Sequence, residues 1–137
     1  MRAIVDTGFI VAFLNHSDQY HDWASEIGRG VSITDPFLTC EAVLAETAFQ
    51  VGSTSRVLAL LQDGFLRIAF DLAENVEEVQ ALAERYRDRA PGLADLCIIR
   101  MSELNERLPV LTVDESDFRV YRRNRREVIP IMCPPRS

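Results

Sequence analysis

Short apolar runs rich in β-branched residues alternate along this chain with longer segments that carry apolar residues at helical spacing. Residues 3–5 and 109–113 are runs of the first kind, and residues 40–51 and 93–104 are segments of the second kind. Strands that alternate with helices are typical of α/β proteins, in which helices cover both faces of a mainly parallel sheet. We therefore predict a three-layer α/β/α fold with a mainly parallel central sheet. The 137 residues match the size of one ordinary domain, so we expect residues 1–137 to form a single domain.

The bounds of the predicted elements follow from periodicity and from turn residues. We predict strands at residues 3–5, 31–34, 65–70, 109–113 and 128–132, and helices at 9–15, 18–28, 40–51, 53–62, 75–87, 93–104 and 118–123. Thr39 is the expected N-cap of the helix at 40–51, which is apolar on most sides and should be largely buried. Pro130 lies inside the last predicted strand, and its missing N–H places that strand at an edge of the sheet.

All 15 basic residues of the chain are Arg, and the sequence contains no Lys. A Walker-type phosphate loop needs a Lys, and so does catalysis through a Schiff base, so the sequence excludes both mechanisms. Acidic residues number 21, which gives a net charge of −6. This charge argues against a protein that coats nucleic acid by bulk positive charge.

Cysteine usage and hydropathy predict the cellular compartment of the protein. Cys40, Cys97 and Cys133 are widely spaced, and their odd number fits no closed disulfide framework. With the two histidines of the chain they make a poor zinc site. The sequence has no apolar stretch near the ~20 residues that span a bilayer, and its N-terminus lacks the small-residue cleavage site of a secretory signal. We expect a protein of the reducing cytoplasm that has no membrane partner.

Four acidic residues stand out because their neighbours in the sequence are apolar. Asp6 and Asp114 each follow a predicted strand, whereas Glu46 and Asp95 lie in the early part of predicted helices. In open α/β sheets, ligands bind beyond the carboxyl ends of the strands. We therefore expect these four carboxylates to converge at one edge of the sheet. Each of the four also has a simpler interpretation, as a turn former, a helix cap or a half-buried polar residue.

Converging carboxylates repel each other, and they either share protons or hold a cation. A set of oxygen ligands without His or Cys favours Mg²⁺ or Mn²⁺ over Zn²⁺. The chemistry that such a site favours is metal-assisted hydrolysis of a phosphodiester.

Several segments resemble the motifs of PIN-domain ribonucleases, a family that includes the VapC toxins. The opening motif corresponds to residues 2–13, the second acidic motif to residues 39–46, the third to residues 86–95 and the fourth to residues 111–118. They occur in the family's order and cover nearly the whole chain. The sequence departs from the family at Gly92, where a Ser or Thr is common.

The resemblance implies a PIN-like fold and a Mg²⁺- or Mn²⁺-dependent endoribonuclease that cleaves single-stranded RNA. Matched residue by residue, the catalytic acids are Asp6, Glu46, Asp95 and Asp114, of which Asp6, Asp95 and Asp114 are the metal ligands. Asp117 matches an additional acid, and Thr7 and Thr112 match hydroxyl positions beside the metal. The resemblance also implies an antitoxin partner and a homodimer, for which the apolar segments 9–13 and 54–61 are candidate surfaces.

Glu41 is a second acid in the motif that contains Glu46. Five residues separate the two, a rotation of about 500° along a helix, so their side chains lie on different faces. We assign Glu46 to the site and Glu41 to the first helical turn, where negative charge is favoured.

The C-terminal segment is basic although the chain as a whole is acidic. Residues 119–137 contain six Arg and one acid, a local net charge of +5, which leaves −11 for residues 1–118. The candidate RNA-binding residues of this segment are Arg119, Arg122, Arg123, Arg125 and Arg126. Two alternatives stay open: these side chains form ion pairs within the domain, or they dock a partner.

Two other functions are compatible with strand-end acids. A Mg²⁺-dependent phosphatase of doubly wound fold is one, although such enzymes commonly place a Lys near the phosphate. A non-catalytic binding domain, in which the acids serve as caps, is the other. Trp23 also has two interpretations, since it could stack a nucleic-acid base or belong to the core beside Ala24 and Ile27.

Overall fold

A five-stranded parallel sheet forms the centre of the molecule in a computed structural model that describes residues 2–32 and 34–136. Its strands lie in the order β3-β2-β1-β4-β7, and all four pairings are parallel. They are β1 (Ile4–Val5), β2 (Phe37–Thr39), β3 (Leu66–Ile68), β4 (Val110–Leu111) and β7 (Ile131–Met132). A separate antiparallel ribbon pairs β5 (Arg122–Arg123) with β6 (Glu127–Val128).

Seven α-helices connect these strands within the described residues. They are α1 (Thr7–Leu14), α2 (His21–Gly28), α3 (Glu41–Val51), α4 (Thr54–Gln62), α5 (Val76–Arg85), α6 (Leu93–Leu104) and α7 (Glu115–Val120). Two short 3₁₀ turns, Leu72–Asn75 and Arg87–Arg89, precede and follow α5. The predicted α/β class with a mainly parallel sheet and flanking helices is confirmed. In the described part of the chain, no helix combines the length and the apolar character that crossing a membrane requires.

Local signals in the sequence account for several helix ends. The Ser53 side chain accepts a hydrogen bond from the Arg56 N–H and caps α4. Gly52 ends α3 in the left-handed conformation, at φ +71°, which costs little for a residue without a Cβ. The bounds predicted for the helix at 93–104 agree with those of α6.

The central strands lie in the interior. β1, β2 and β4 are fully buried, and Phe9 of α1 packs edge-on against Phe37 of β2, with ring centroids 5.4 Å apart. Strands covered on both faces read as continuous apolar runs, which is why residues 3–5 and 109–113 were recognisable as strands.

The second strand is not where the sequence predicted it. Val31, Ser32 and Thr34 belong to no strand, and Ile33 lies outside the described residues. β2 forms instead at Phe37–Thr39, beyond Pro36, because that segment carries the side chains that fill the core. Thr39 therefore ends a strand and does not cap α3. Cys40 occupies the N-cap position, and it makes no side-chain capping bond.

The prediction that α3 is largely buried was wrong. Phe49 is 88% exposed, and Ala45 is exposed as well. Leu58 of α4 and Val76 of α5 are also about half exposed, although both belong to the apolar stripes that helical spacing places on one side of each helix. One strip of α3 and α4 is therefore an apolar surface and not part of the core.

The C-terminal elements also differ from their predicted bounds. The helix predicted at 118–123 begins at Glu115 and ends at Val120, and Arg122 and Arg123 belong to β5. The strand predicted at 128–132 is divided at Pro130 into β6 and β7. β7 lies at an edge of the sheet, as Pro130 indicated, and the Pro130 carbonyl accepts a hydrogen bond from the Val110 N–H.

Candidate active site

Two neighbouring strands of the sheet bring the first pair of acids together. β1 and β4 are hydrogen-bonded in register, with Val5 opposite Leu111. Asp6 directly follows β1, and its Oδ1 accepts a hydrogen bond from the Thr7 N–H that opens α1. The Thr112 hydroxyl, beyond β4, donates to Asp6 Oδ2 at 3.0 Å and accepts from the Asp114 N–H at 2.9 Å. The sheet edge therefore joins Asp6 to the Asp114 loop, as predicted.

Asp6 is a buried carboxylate in an acidic environment. Its pKa is raised from 3.8 to about 6, chiefly by burial and in smaller part by the nearby charges of Asp114 and Glu46. The hydrogen bonds from Thr7 and Thr112 oppose this rise because they stabilise the ionised form. These two hydrogen bonds therefore stabilise the ionised form of Asp6, which burial disfavours.

Three other acids form the closest cluster found in the described part of the chain. Carboxylate oxygens of Asp95, Asp114 and Asp117 all lie within 4.8 Å of one another. Asp95 comes from the first turn of α6, Asp114 precedes α7, and Asp117 lies in the first turn of α7. The family resemblance gave Asp117 as an additional acid outside the set of metal ligands, whereas the structure places it directly beside Asp95 and Asp114. Asp6 lies near this cluster, and its charge raises the pKa of Asp95.

The pKa values in the cluster show how strongly its members interact. The pKa of Asp95 is raised to about 7, chiefly by burial and then by the charges of Asp6 and Asp114. Burial and the proximity of Asp117 also raise the pKa of Asp114. Asp117 differs, because its ion pair with Arg89 lowers its pKa. A divalent cation would stabilise the ionised forms that burial and mutual repulsion disfavour.

Glu46 reaches the site from α3. Its side chain is exposed, and its Oε2 accepts a hydrogen bond from the Thr7 hydroxyl at 3.0 Å. A Cβ built on Gly92 would lie 3.9 Å from Glu46 Oε1, so this carboxylate is also near the start of α6. Glu41 is exposed too, but it lines a separate cavity with Cys40 and Phe70. The structure thus brings Glu46 together with Thr7 and Asp6.

Two residues of the site were not assigned to it from the sequence. Arg89 donates to Asp117 Oδ1 at 2.8 Å and places a guanidinium beside the acid cluster. The Tyr121 hydroxyl donates to Asp95 Oδ2 at 3.3 Å from a ring that is almost completely buried. Both groups lie far along the chain from the acids they contact. The one available signal was the short run that contains Arg85, Arg87 and Arg89 beside the third motif.

The five arginines proposed for RNA binding differ in their surroundings. Arg123 is only 4% exposed, and its guanidinium donates to the Ser102 carbonyl and hydroxyl, the Glu106 carbonyl and Glu127. Because this side chain holds the C-terminal end of α6, it is not available to a phosphate. Arg119 pairs with Glu115, and Arg122 donates to backbone carbonyls at the end of α7.

The last two of these arginines lie at the turn of the β5–β6 ribbon. Arg125 and Arg126 are exposed there, and Arg125 has a left-handed backbone, at φ +73°. An exposed turn with two guanidinium groups is accessible to a polyanion.

The donor set of the cluster fits a hard divalent cation. Its three members are carboxylates, and neither an imidazole nor a thiol belongs to the described cluster. The hydroxyls of Thr7 and Thr112 bind the neighbouring acids Glu46 and Asp6. Oxygen donors of this type suit Mg²⁺ and Mn²⁺.

Comparisons with known proteins agree with this architecture. A model of the PIN domain family matches residues 3–124 of the chain. Ribonuclease VapC26 of Mycobacterium tuberculosis is 24% identical over 123 residues, a match that covers 87% of this chain and 91% of that protein. The crystal structure of M. tuberculosis VapC20, described as a sarcin-ricin loop cleaving toxin, superimposes with a TM-score of 0.70 at 19% identity. That superposition covers 84% of this chain and 93% of VapC20.

Proposed function

Because the chain belongs to the PIN domain family, we propose that it is a Mg²⁺- or Mn²⁺-dependent endoribonuclease that cleaves single-stranded RNA. The observation that carries this proposal is the acid cluster of Asp95, Asp114 and Asp117, which Asp6 borders. We further propose that it is the toxin of a toxin–antitoxin pair, by analogy with the relatives VapC26 and VapC20.

In the proposed mechanism, carboxylates would hold the metal. Asp95, Asp114 and Asp117 would bind it, and Asp6 would contribute directly or through water. The chemistry that a bound Mg²⁺ or Mn²⁺ supplies is a lowered pKa of water and neutralisation of charge on the phosphate. Asp95 must be ionised to act as a ligand, and its raised pKa in the metal-free protein means that metal affinity should rise with pH through about 7.

Glu46 has a different role in this mechanism. It is exposed at the edge of the site, so its carboxylate is accessible to water and substrate. The hydrogen bond from the Thr7 hydroxyl fixes the position of one of its oxygens. We assign Glu46 to orienting the attacking water and accepting its proton. No protein nucleophile is required, and the RNA would be cut to leave a 3′-hydroxyl and a 5′-phosphate.

Arginines around the acidic site would bind the RNA backbone. Arg125 and Arg126 are exposed at the β5–β6 turn, and Arg119 and Arg122 lie on and beside α7, the helix that carries Asp117. Guanidinium groups bind phosphate oxygens through paired hydrogen bonds. Arg123 is left out of this set because it is buried.

The apolar surface on α3 and α4 supports the proposal of protein partners. Leu44, Ala45, Ala48, Phe49, Val57 and Leu58 line a cavity of about 480 Å³ there, together with Thr54. An exposed apolar surface of this kind marks an interaction site. We assign it to the homodimer and propose that the antitoxin blocks the acid cluster. We propose the cytoplasm as the location.

The proposed function is tested by incubating the purified protein with labelled single-stranded RNA in Mg²⁺, in Mn²⁺ and in EDTA. Cleavage should require the metal and should fall at least 100-fold in Asp6→Asn and in Asp95→Asn. Asp63→Asn is the matched control, since Asp63 is an exposed acid at the end of α4 and should leave cleavage unchanged.

Two results would count against the assignment. Cleavage that survives in both site variants would refute the choice of residues. A protein that neither cleaves RNA nor binds Mg²⁺ in a calorimeter would favour the non-catalytic alternative. A metal-dependent phosphatase would release phosphate from a monoester and leave the RNA intact.

A further inference from the structure

A cleft beside the acid cluster is not used by the proposed mechanism. It has a volume of about 700 Å³ and lies between the start of α2, the β4–α7 loop and the segment that follows β7. Small-molecule sites have volumes of about 300–1,000 Å³. Its lining is Gln19, Tyr20, Trp23, Val113, Glu115, Cys133, Pro134, Pro135 and Arg136.

The cleft adjoins the site through the Asp114 loop. Val113 and Glu115, the residues on either side of Asp114, both line it. Asp114 itself belongs to the acid cluster. A nucleotide whose phosphate lies at the cluster would therefore have the cleft next to it as a place for its base.

The aromatic residues of the cleft suit a nucleobase. Tyr20 and Trp23 are partly buried against the core and still line the cleft. The Trp23 ring packs edge-on against Phe9, with centroids 5.6 Å apart and planes at 85°, so its position is fixed before any ligand binds. Unpaired RNA bases are recognised by stacking on aromatic rings and by hydrogen bonds to their edges. Gln19 can supply such hydrogen bonds.

The charge at the rim of the cleft does not repel RNA. Glu115 is the one carboxylate in the described lining, and it pairs with both Arg136 and Arg119. Two guanidinium groups around one carboxylate leave a local positive charge. The cleft therefore differs from the acid cluster next to it, which needs a cation before a phosphate can approach.

We propose that this cleft is a nucleobase-binding site, in which Tyr20 and Trp23 stack an unpaired base next to the scissile phosphate. The inference rests on the proposed ribonuclease function and extends it: the substrate is RNA whose base at this position is free to leave its stack. Trp23 is a specificity residue and takes no part in the chemical step. Removal of a stacking ring weakens nucleic-acid binding by roughly 5- to 150-fold.

Fluorescence tests the site directly, because Trp23 is the only Trp in the sequence. The whole chain carrying Glu46→Gln, which keeps the three carboxylates of the acid cluster and should not cleave, is titrated in Mg²⁺ with oligo(A), with oligo(U) and with an abasic ribose-phosphate oligomer of equal length and charge. We expect saturable quenching by the two base-bearing oligomers and none by the abasic one. Equal quenching by all three would overturn the proposal.

A matched pair of substitutions tests the same site through kinetics. Trp23→Phe keeps a ring, whereas Trp23→Leu keeps apolar packing against Phe9 without one. We expect Trp23→Leu to raise KM for single-stranded RNA at least 5-fold with kcat within about 3-fold, and Trp23→Phe to stay within about 3-fold in both. An unchanged KM in a folded Trp23→Leu protein would refute the assignment.

The two proposals can fail separately. If the wild-type protein cleaves RNA but no oligomer changes Trp23 fluorescence, the base site is wrong and the ribonuclease assignment stands. If oligo(A) quenches Trp23 but no RNA is cleaved in any metal, the base site stands and the catalytic function is wrong.

Discussion

The Thr112 hydroxyl holds the strand-end carboxylates in place, and its removal should be costly. The side chain is fully buried, donates to Asp6 Oδ2 at 3.0 Å and accepts from the Asp114 N–H at 2.9 Å. Thr112→Val preserves the shape of the side chain and deletes both hydrogen bonds. A buried carboxylate then loses one of its donors, and a backbone N–H loses its acceptor.

The magnitude follows from these two losses. A hydrogen bond to a charged group contributes about 1.5–3 kcal/mol, and a buried donor left without a partner costs about 1–3 kcal/mol. Asp114 is partly exposed, so water can satisfy part of the second loss. We expect Thr112→Val to lower the free energy of unfolding at pH 7 by about 2–4 kcal/mol.

Urea denaturation at pH 7 measures this loss, and Thr47→Val provides the matched control. Thr47 is also fully buried, but its hydroxyl donates to the Val43 carbonyl within α3, at 2.8 Å. That carbonyl keeps its helical hydrogen bond after the substitution, so Thr47→Val should cost less than about 1 kcal/mol.

The pH dependence of the Thr112→Val effect provides a second check. Asp6, with a pKa of about 6, is largely protonated at pH 5, and a neutral carboxyl gains less from a hydroxyl donor. The difference between Thr112→Val and the wild type should therefore shrink at pH 5. Equal losses for Thr112→Val and Thr47→Val, or a Thr112→Val effect that does not change with pH, would refute the role assigned to Thr112.

Three further predictions concern stability and assembly. Burial raises the pKa of Asp6 to about 6 and of Asp95 to about 7, so the folded protein binds more protons than the unfolded chain between about pH 4 and 7. Without metal, the free energy of unfolding should therefore fall by a few kcal/mol as pH rises through this window. Added Mn²⁺ should offset this loss. Urea titrations in which stability rises with pH would contradict the prediction. Arg123→Ala should cost about 2–4 kcal/mol in the same assay because the buried guanidinium holds the end of α6, whereas Arg126→Ala should change stability by less than about 0.5 kcal/mol. If the proposed homodimer forms through the apolar surface on α3 and α4, Phe49→Ser should leave the stability of the folded chain nearly unchanged and give a monomer in sedimentation experiments. A Phe49→Ser protein that still sediments as a dimer would refute this choice of interface.

The position of the acids that follow the central strands could be predicted, because the pattern of a buried strand also shows where that strand ends. A short run of buried β-branched residues indicates a central parallel strand, and the residue after it lies at the carboxyl edge of the sheet. Asp6 and the Asp114 loop meet there because β1 and β4 are neighbours. The order of the strands could not be predicted from the residues alone. The family resemblance was what implied that the acids of the four motifs belong to one site.

The misplaced second strand shows the limit of local pattern. Residues 31–34 and residues 37–39 both carry β-branched or aromatic side chains, and Pro36 separates them. The choice between them depends on which run fits between β1 and β3, since Phe37 and Leu38 are buried there whereas Val31 and Ser32 are not fully enclosed. Burial against distant elements is a tertiary property, which a window of a few residues does not contain.

Exposure on the helices was harder to predict for a related reason. α3 reads as an apolar helix, yet one of its faces has no neighbour within the described chain, and Phe49 is exposed there. An apolar face that is covered by the protein's own core cannot be distinguished by periodicity from one that is covered by a partner. The apparent error about α3 is therefore consistent with the proposed dimer surface.

Arg89 and Tyr121 show why the charge balance of the site could not be predicted. Each lies within hydrogen-bonding distance of an acid that is 26 or 28 residues away in the sequence, and the contact depends on how the 3₁₀ turn Arg87–Arg89 and the end of α7 pack beside α6. The sequence shows an acidic chain with a basic C-terminal segment. In the folded protein, Arg123 of that segment is buried, and Arg89, far outside it, is the guanidinium paired with the acid cluster. The Arg89 guanidinium next to Asp117 lowers the pKa of that acid, whereas burial raises the pKa of Asp95 and of Asp114. The cluster thus has one carboxylate whose pKa is lowered and two whose pKa values are raised. Because the pKa of Asp95 is about 7, metal binding should release protons at neutral pH.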